Sequence, residues 1–130
     1  MNLYEILLPV EDNSGFDLRE PHRRFAVFLL ETAGGYTVDT ERTGAWRDPK
    51  GNVILDRVRP YRVAGPNSLQ WRMIVERAFE LFPDQEAIFH AKIGEATIED
   101  RPAAPLVLSV NDLAAIDLAA EKGREGHYYD

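Results

Sequence analysis

The chain is 130 residues long, 45% hydrophobic and 28% charged, with a formal charge of −7 and no cysteine. That length favours one domain with a real core, and the missing thiols exclude disulfides, cysteine metal sites and thiol catalysis. The acidic balance disfavours nucleic acid and anionic lipid as partners. No stretch approaches the ~20 apolar residues of a membrane span, and residues 1–5 show neither the basic nor the apolar part of a signal peptide. A cytoplasmic protein that does not touch membranes is the expectation.

Residues 3–10 alternate as a first strand, with Tyr4, Ile6, Leu8 and Val10 on one face and Leu3, Glu5 and Leu7 on the other. Apolar residues on both faces suit a central strand, with Glu5 the exception. Pairing should fail near Pro9, which has no N–H. After a polar loop, Pro21 stands at an early helical position. Phe25, Phe28, Leu29 and Thr32 then keep helical spacing until Gly34-Gly35 stops the helix. Residues 36–41 alternate as a half-exposed strand, Tyr36 and Val38 inward, Thr37, Asp39 and Glu41 outward. Residues 53–63 return as a third strand, which Pro60 is expected to interrupt with a bulge or bend. Asn67 or Ser68 can cap a second helix, whose stripe includes Trp71, Ile74, Val75, Ala78 and Phe82 and which Pro83 closes. Residues 87–93 read as the last sheet strand, with Phe89, Ala91 and Ile93 on its inner face and Ile88, His90 and Lys92 on the other. Residues 100–105 read as a linker. A short apolar run and a helix ending at Gly123 follow, then a frayed tail.

Between the second and third strands lies a hairpin tip. Asp48-Pro49-Lys50-Gly51 suits a type I turn: Asp first, Pro with its φ already fixed second, Gly fourth. Trp46 is expected to pack under the hairpin, with Arg47 and Asp48 paired across the turn. An exposed Trp46–Arg47 pair would instead suit an interface hot spot. The pattern G-x-W-R-D-P-x-G-x-V, Gly44 to Val53, resembles a hairpin of small bacterial proteins of ferredoxin-like shape. That resemblance covers about ten residues and implies a fold but no activity.

The strands and helices give a ferredoxin-like α+β sandwich, βαββαβ, over residues 1–99, with a C-terminal helical extension over residues 100–130. Right-handed crossovers set the order of its antiparallel four-stranded sheet as 4-1-3-2. Two helices cover one sheet face and leave the other bare, so function or assembly is to be sought there.

On that face the alternation predicts Glu5 beside His90, with Arg57 or Arg62 from the next strand. A carboxylate could orient the imidazole there for proton transfer near neutral pH, with Tyr61 nearby. The plainer reading is a cross-strand charge ladder, worth roughly 0.2–1 kcal/mol per pair. His22, His90 and His127 lack ligand spacing, so no metal is expected. No phosphate-binding loop, nucleophile elbow or basic aromatic sheet face occurs, so no cofactor is expected and nucleic acid is disfavoured.

The reading that follows is an interaction or structural module that self-associates, as a homodimer or with a protein partner, rather than an enzyme. Trp46, Arg47 and Arg62 are its candidate binding residues, and Leu106, Leu108, Leu113, Ile116 and Leu118 are expected at or near the contact; in the alternative, residues 106–122 fold back over their own sheet and the chain stays monomeric. The alternatives are a cofactor-free enzyme or small-molecule binder using Glu5, His90 and Tyr61, and an acidic inhibitor that mimics nucleic acid.

Overall fold

The computed structural model describes residues 1–101. The chain divides into two units, Met1–Ala96 and Thr97–Asp130, and the first holds every regular element among the described residues. The expectations for residues 106–122 lie outside the described residues.

The elements run β1 (Asn2–Pro9), α1 (Arg19–Ala33), β2 (Thr37–Val38), β3 (Arg42–Arg47), β4 (Val53–Ala64), α2 (Ser68–Leu81) and β5 (His90–Glu95). All strand pairs are antiparallel, in the order β2-β4-β1-β5, with β3 also on β4. This is the expected ferredoxin-like sandwich, with the second strand of the pattern split into β2 and β3.

Pro60 explains the split. Val38 pairs with Tyr61 and Arg42 with Val58, so Asp39, Thr40 and Glu41 stand opposite only Arg59 and Pro60. The Pro60 carbonyl faces this edge and accepts the Asp39 N–H at 3.0 Å. A strand residue points its N–H and C=O to the same side, so the missing N–H of Pro60 falls at the gap. The irregularity expected at Arg59-Pro60 is therefore carried by the neighbouring chain, as an extra residue. β4 itself is not interrupted and runs through Pro60 for 12 residues.

Local chemistry sets the helix ends. Gly34 takes a left-handed φ of 82° after α1, and its N–H bonds the Leu30 carbonyl. At α2 the Asn67 side chain accepts the Gln70 N–H at 2.8 Å while the Gln70 side chain accepts the Asn67 N–H at 2.9 Å, a reciprocal capping box. Both helices lie on one side of the sheet. Phe25 and Leu29 of α1 and Trp71, Ile74, Val75 and Ala78 of α2 close over Tyr4, Ile6, Tyr61 and Val63. Full burial of each large apolar side chain contributes about 1.5–3 kcal/mol.

Two polar side chains are buried with this core, His22 and Arg59. His22 of α1 is fully buried. Its Nε2 lies 2.7 Å from the Pro9 carbonyl and its Nδ1 2.6 Å from the Tyr61 hydroxyl. A carbonyl only accepts, so Nε2 carries the proton, and Nδ1 of the neutral ring accepts the Tyr61 O–H. Burial pushes the His22 pKa down to about 4, and the charge of buried Arg59 adds to the fall, against the opposing hydrogen bond to Pro9.

Because the folded pKa is depressed, the unfolded chain binds the proton first as pH drops. The contribution of His22 is complete above pH 6.5 and is lost as pH falls toward 4. The wild type should lose on the order of 3 kcal/mol more stability over that interval than a His22→Gln variant, in urea melts at both pH values. Identical losses in the two proteins would contradict the neutral, buried assignment.

Candidate interaction surface

The register of β1 and β4 sorts the side chains onto two faces. Tyr4, Ile6 and Leu8 stand opposite Val63, Tyr61 and Arg59 on the helix side. Leu3, Glu5, Leu7 and Pro9 stand opposite Ala64, Arg62, Pro60 and Val58 on the open side, where neither helix lies. On this open face Arg62 Nε donates to Glu5 Oε2 at 3.0 Å. The Glu5 side chain is only 19% exposed, so the ion pair is half sunk between the apolar flanks of Leu3 and Leu7.

The expected Glu5–His90 row does not form. His90 stands opposite Ile6, on the helix side, and its Nδ1 accepts the indole N–H of Trp71 at 3.1 Å. Trp71 in turn stacks on Tyr4 at 4.5 Å. Ala91, not His90, is the neighbour of Glu5. The expected inner face of the last strand is thus reversed, and the strand begins at His90 rather than at residue 87. Alternation could not decide the register because both parities carry apolar residues. Ile88 packs against the core and Phe89 is exposed, and an unpaired Ile93 between Lys92 and Gly94 shifts the register again. Tyr61 is fully buried against His22 and is also remote from the open face. The three candidate catalytic residues therefore lie in three separate environments: Glu5 on the open face, His90 at the edge of the helix side, Tyr61 in the core.

Of the candidate binding residues, Arg62 lies at mid-sheet, and Trp46 and Arg47 lie on a projecting ribbon. β1 ends opposite Val58 and the Val10 N–H still bonds the Arg57 carbonyl at 3.0 Å, so Val53 to Asp56 of β4 pair only with β3 among the described residues. The β3–β4 hairpin leaves the body as a two-stranded arm. Its turn has the expected type I form: Gly51 donates to the Asp48 carbonyl at 2.9 Å with φ 87°, and the Asp48 carboxylate accepts the Lys50 and Asn52 N–H groups at 2.9 and 2.8 Å. That carboxylate is committed to the turn backbone rather than to Arg47.

Trp46 does not pack under the hairpin. It is 51% exposed, and its indole N–H donates to the Asp56 carboxylate two rungs along the ribbon. Trp46 and Ile54 form one rung on the face continuous with the open side of the sheet. The other face carries Ala45, Leu55 and Val53, with Leu55 71% and Val53 63% exposed. Trp46 and Arg62 lie eight residues apart along β4, by way of Ile54, roughly 26 Å at strand rise. They belong to one long surface, not to one pocket. Sequence periodicity missed Val53 and Leu55 because it reports which side a residue faces, not whether anything covers that side.

At the root of the arm, Arg57 bridges two carboxylates. Its Nη2 meets Glu41 at 2.6 Å, and its Nη1 pairs with Glu11 of the β1–α1 loop. Glu41 and then Glu11 hold the Arg57 pKa above the usual guanidinium value. Among the described residues no group of three or more His, Asp or Glu is arranged to hold a metal, and no helix is long and apolar enough to cross a membrane.

No protein-family model and no curated protein matches the sequence. Solved structures do resemble it. A divalent cation tolerance protein, CutA1, from Thermus thermophilus superposes with a TM-score of 0.54 at 22% identity, over 74% of this chain and 86% of that one. A variant of CutA1 from Pyrococcus horikoshii gives 0.51 at 18%, over 75% and 87%. A PII-like protein, CutA from Nostoc, in its apo form, gives 0.51 at 18%, over 72% and 80%. This chain has the fold of the CutA1 proteins. At such identities the likeness covers the CutA1-like scaffold and carries no site from one protein to another.

Arg57→Ala should loosen the arm without unfolding the body, since exposed ion pairs contribute little to global stability. Amide hydrogen exchange should quicken about three- to tenfold at Gly44 and Trp46, whose N–H groups face β4 in the ribbon register, while Ile6 and Val63 keep their wild-type protection. Equal acceleration at all four positions would show that the bridge supports the whole domain instead.

Proposed function

We propose that the protein is a self-associating interaction module, in which the β3–β4 arm and the adjoining open sheet face are the contact surface. The observation that carries this reading is the arm: apolar and exposed on both of its faces. A lone two-stranded ribbon is marginal in water, and Trp46, Val53 and Leu55 gain nothing from their positions unless a second molecule covers them. β3 also presents an unpaired outer edge among the described residues, a template for strand addition.

A second copy of the chain is the occupant that charge favours. The arm carries Arg42, Arg47, Lys50 and Arg57 against Glu41, Asp48 and Asp56, whereas the whole chain is at −7. A slightly basic arm thus meets an acidic body in its own kind. A homodimer is the simplest closed assembly. The resemblance of the Gly44–Val53 hairpin to those of small bacterial proteins of ferredoxin-like shape falls on this same arm.

Light scattering on the eluting full chain at about 100 µM should give a mass of at least two chains. Leu55→Asp should return a monomer with an unchanged far-ultraviolet dichroism spectrum. A wild-type monomer at that concentration, or a Leu55→Asp protein that elutes like the wild type, would overturn the proposal.

A further inference from the structure

Away from the open face, the β1–α1 loop and the α2–β5 loop flank a half-open cleft of about 290 Å³. Its lining includes the apolar Leu18, Pro21, Leu81 and Pro83 and the acidic Asp12 and Asp84. No basic side chain lines it. The volume lies at the small end of ligand pockets, which combine apolar walls with a few placed polar groups.

Both loops are held in place. The Asn13 side-chain amide donates to the Asp84 carbonyl at 3.3 Å, joining one loop to the other. Asp12 accepts the Ser14 and Phe16 N–H groups at 2.9 Å through a single oxygen, Oδ1, which fixes its carboxylate against its own loop. Leu18 N–H bonds the Val10 carbonyl at 3.3 Å, and Gln85 N–H bonds the Phe82 carbonyl at 3.1 Å. Proline walls have no backbone φ left to freeze. The pocket therefore exists before a ligand arrives, and little ordering opposes binding.

We infer that this cavity is a binding site for a small hydrophobic amine: an apolar body against Leu18, Pro21, Leu81 and Pro83, and an ammonium group between the Asp12 and Asp84 carboxylates. The apolar walls alone would accept a neutral ring equally well. The two acidic residues of the lining, with no basic residue in it and a chain at −7 behind them, select the sign of the ligand. A carboxylic acid of the same shape is repelled by the same groups. The site is independent of self-association, since the arm contributes no residue to its lining.

The test is a titration of the isotope-labelled full chain with 2-phenylethylammonium chloride, 2-phenylethanol and 3-phenylpropionate, followed by amide chemical shifts. Saturable shifts at Leu18, Phe82, Asp84 and Gln85 are expected with the amine. The alcohol should bind about threefold or more weaker, and the acid about tenfold or more weaker. Asp84→Asn, an exposed change, should cut amine affinity about three- to tenfold and leave the alcohol unchanged. Leu18→Trp, which fills the cavity, should remove binding of both. Equal affinity for amine and acid, an Asp84→Asn protein with wild-type preference, or shifts confined to other surfaces would each overturn the assignment.

Discussion

A strand longer than its neighbour must leave part of itself without a sheet, and here the mismatch is four residues of β4. The last backbone bond from the body to β4 runs from the Val10 N–H to the Arg57 carbonyl, and Val53 to Asp56 continue past it with β3 as their only strand partner among the described residues. Pro60 sharpens the division. By withholding an N–H at the edge of β4, it separates the short β2, which belongs to the body, from β3, which belongs to the arm. The body thus closes its core with two capped helices, while the arm carries apolar residues on two faces that the body cannot reach. The exposed arm follows from strand length and one proline before any particular contact is considered.

The two halves of the molecule rest on different forces. The body is held by side-chain packing around Ile6, Tyr61, Phe25 and Ile74, with the His22–Tyr61–Pro9 hydrogen bonds fully satisfied in its centre. A buried polar group that keeps its partners costs little and specifies one arrangement. The arm has no core. Its order comes from the turn at Asp48, the indole–carboxylate bond of Trp46 to Asp56, and the Arg57 bridges at its root. Exposed bonds of that kind orient a ribbon more than they stabilise it.

Much of this fold was legible in the sequence because it rests on local chemistry. Asp48-Pro49-Lys50-Gly51, Asn67 with Gln70, Gly34 and Pro83 each name a turn or a helix end by a mechanism that needs no tertiary context. The strand order follows from the element order alone. The candidate site was less legible. Glu5 met Arg62 as alternation requires, but His90 went to the opposite face because Ile88 rather than Phe89 fills the core and Trp71 offers its N–H on the helix side. The fate of Trp46 was equally hidden, because pairing partners can be read from a hairpin but the extent of its neighbours cannot.

Whether the arm is covered by another molecule is the claim on which the functional reading stands. With 5-fluorotryptophan incorporated, fluorine resonance reports the two tryptophans separately, Trp46 on the arm and Trp71 in the core. On dilution of the full chain from millimolar to micromolar concentration, the Trp46 signal should move toward its solvent-exposed position while the Trp71 signal stays fixed. A Trp46 signal that keeps its solvent-exposed position across the whole series would contradict the account.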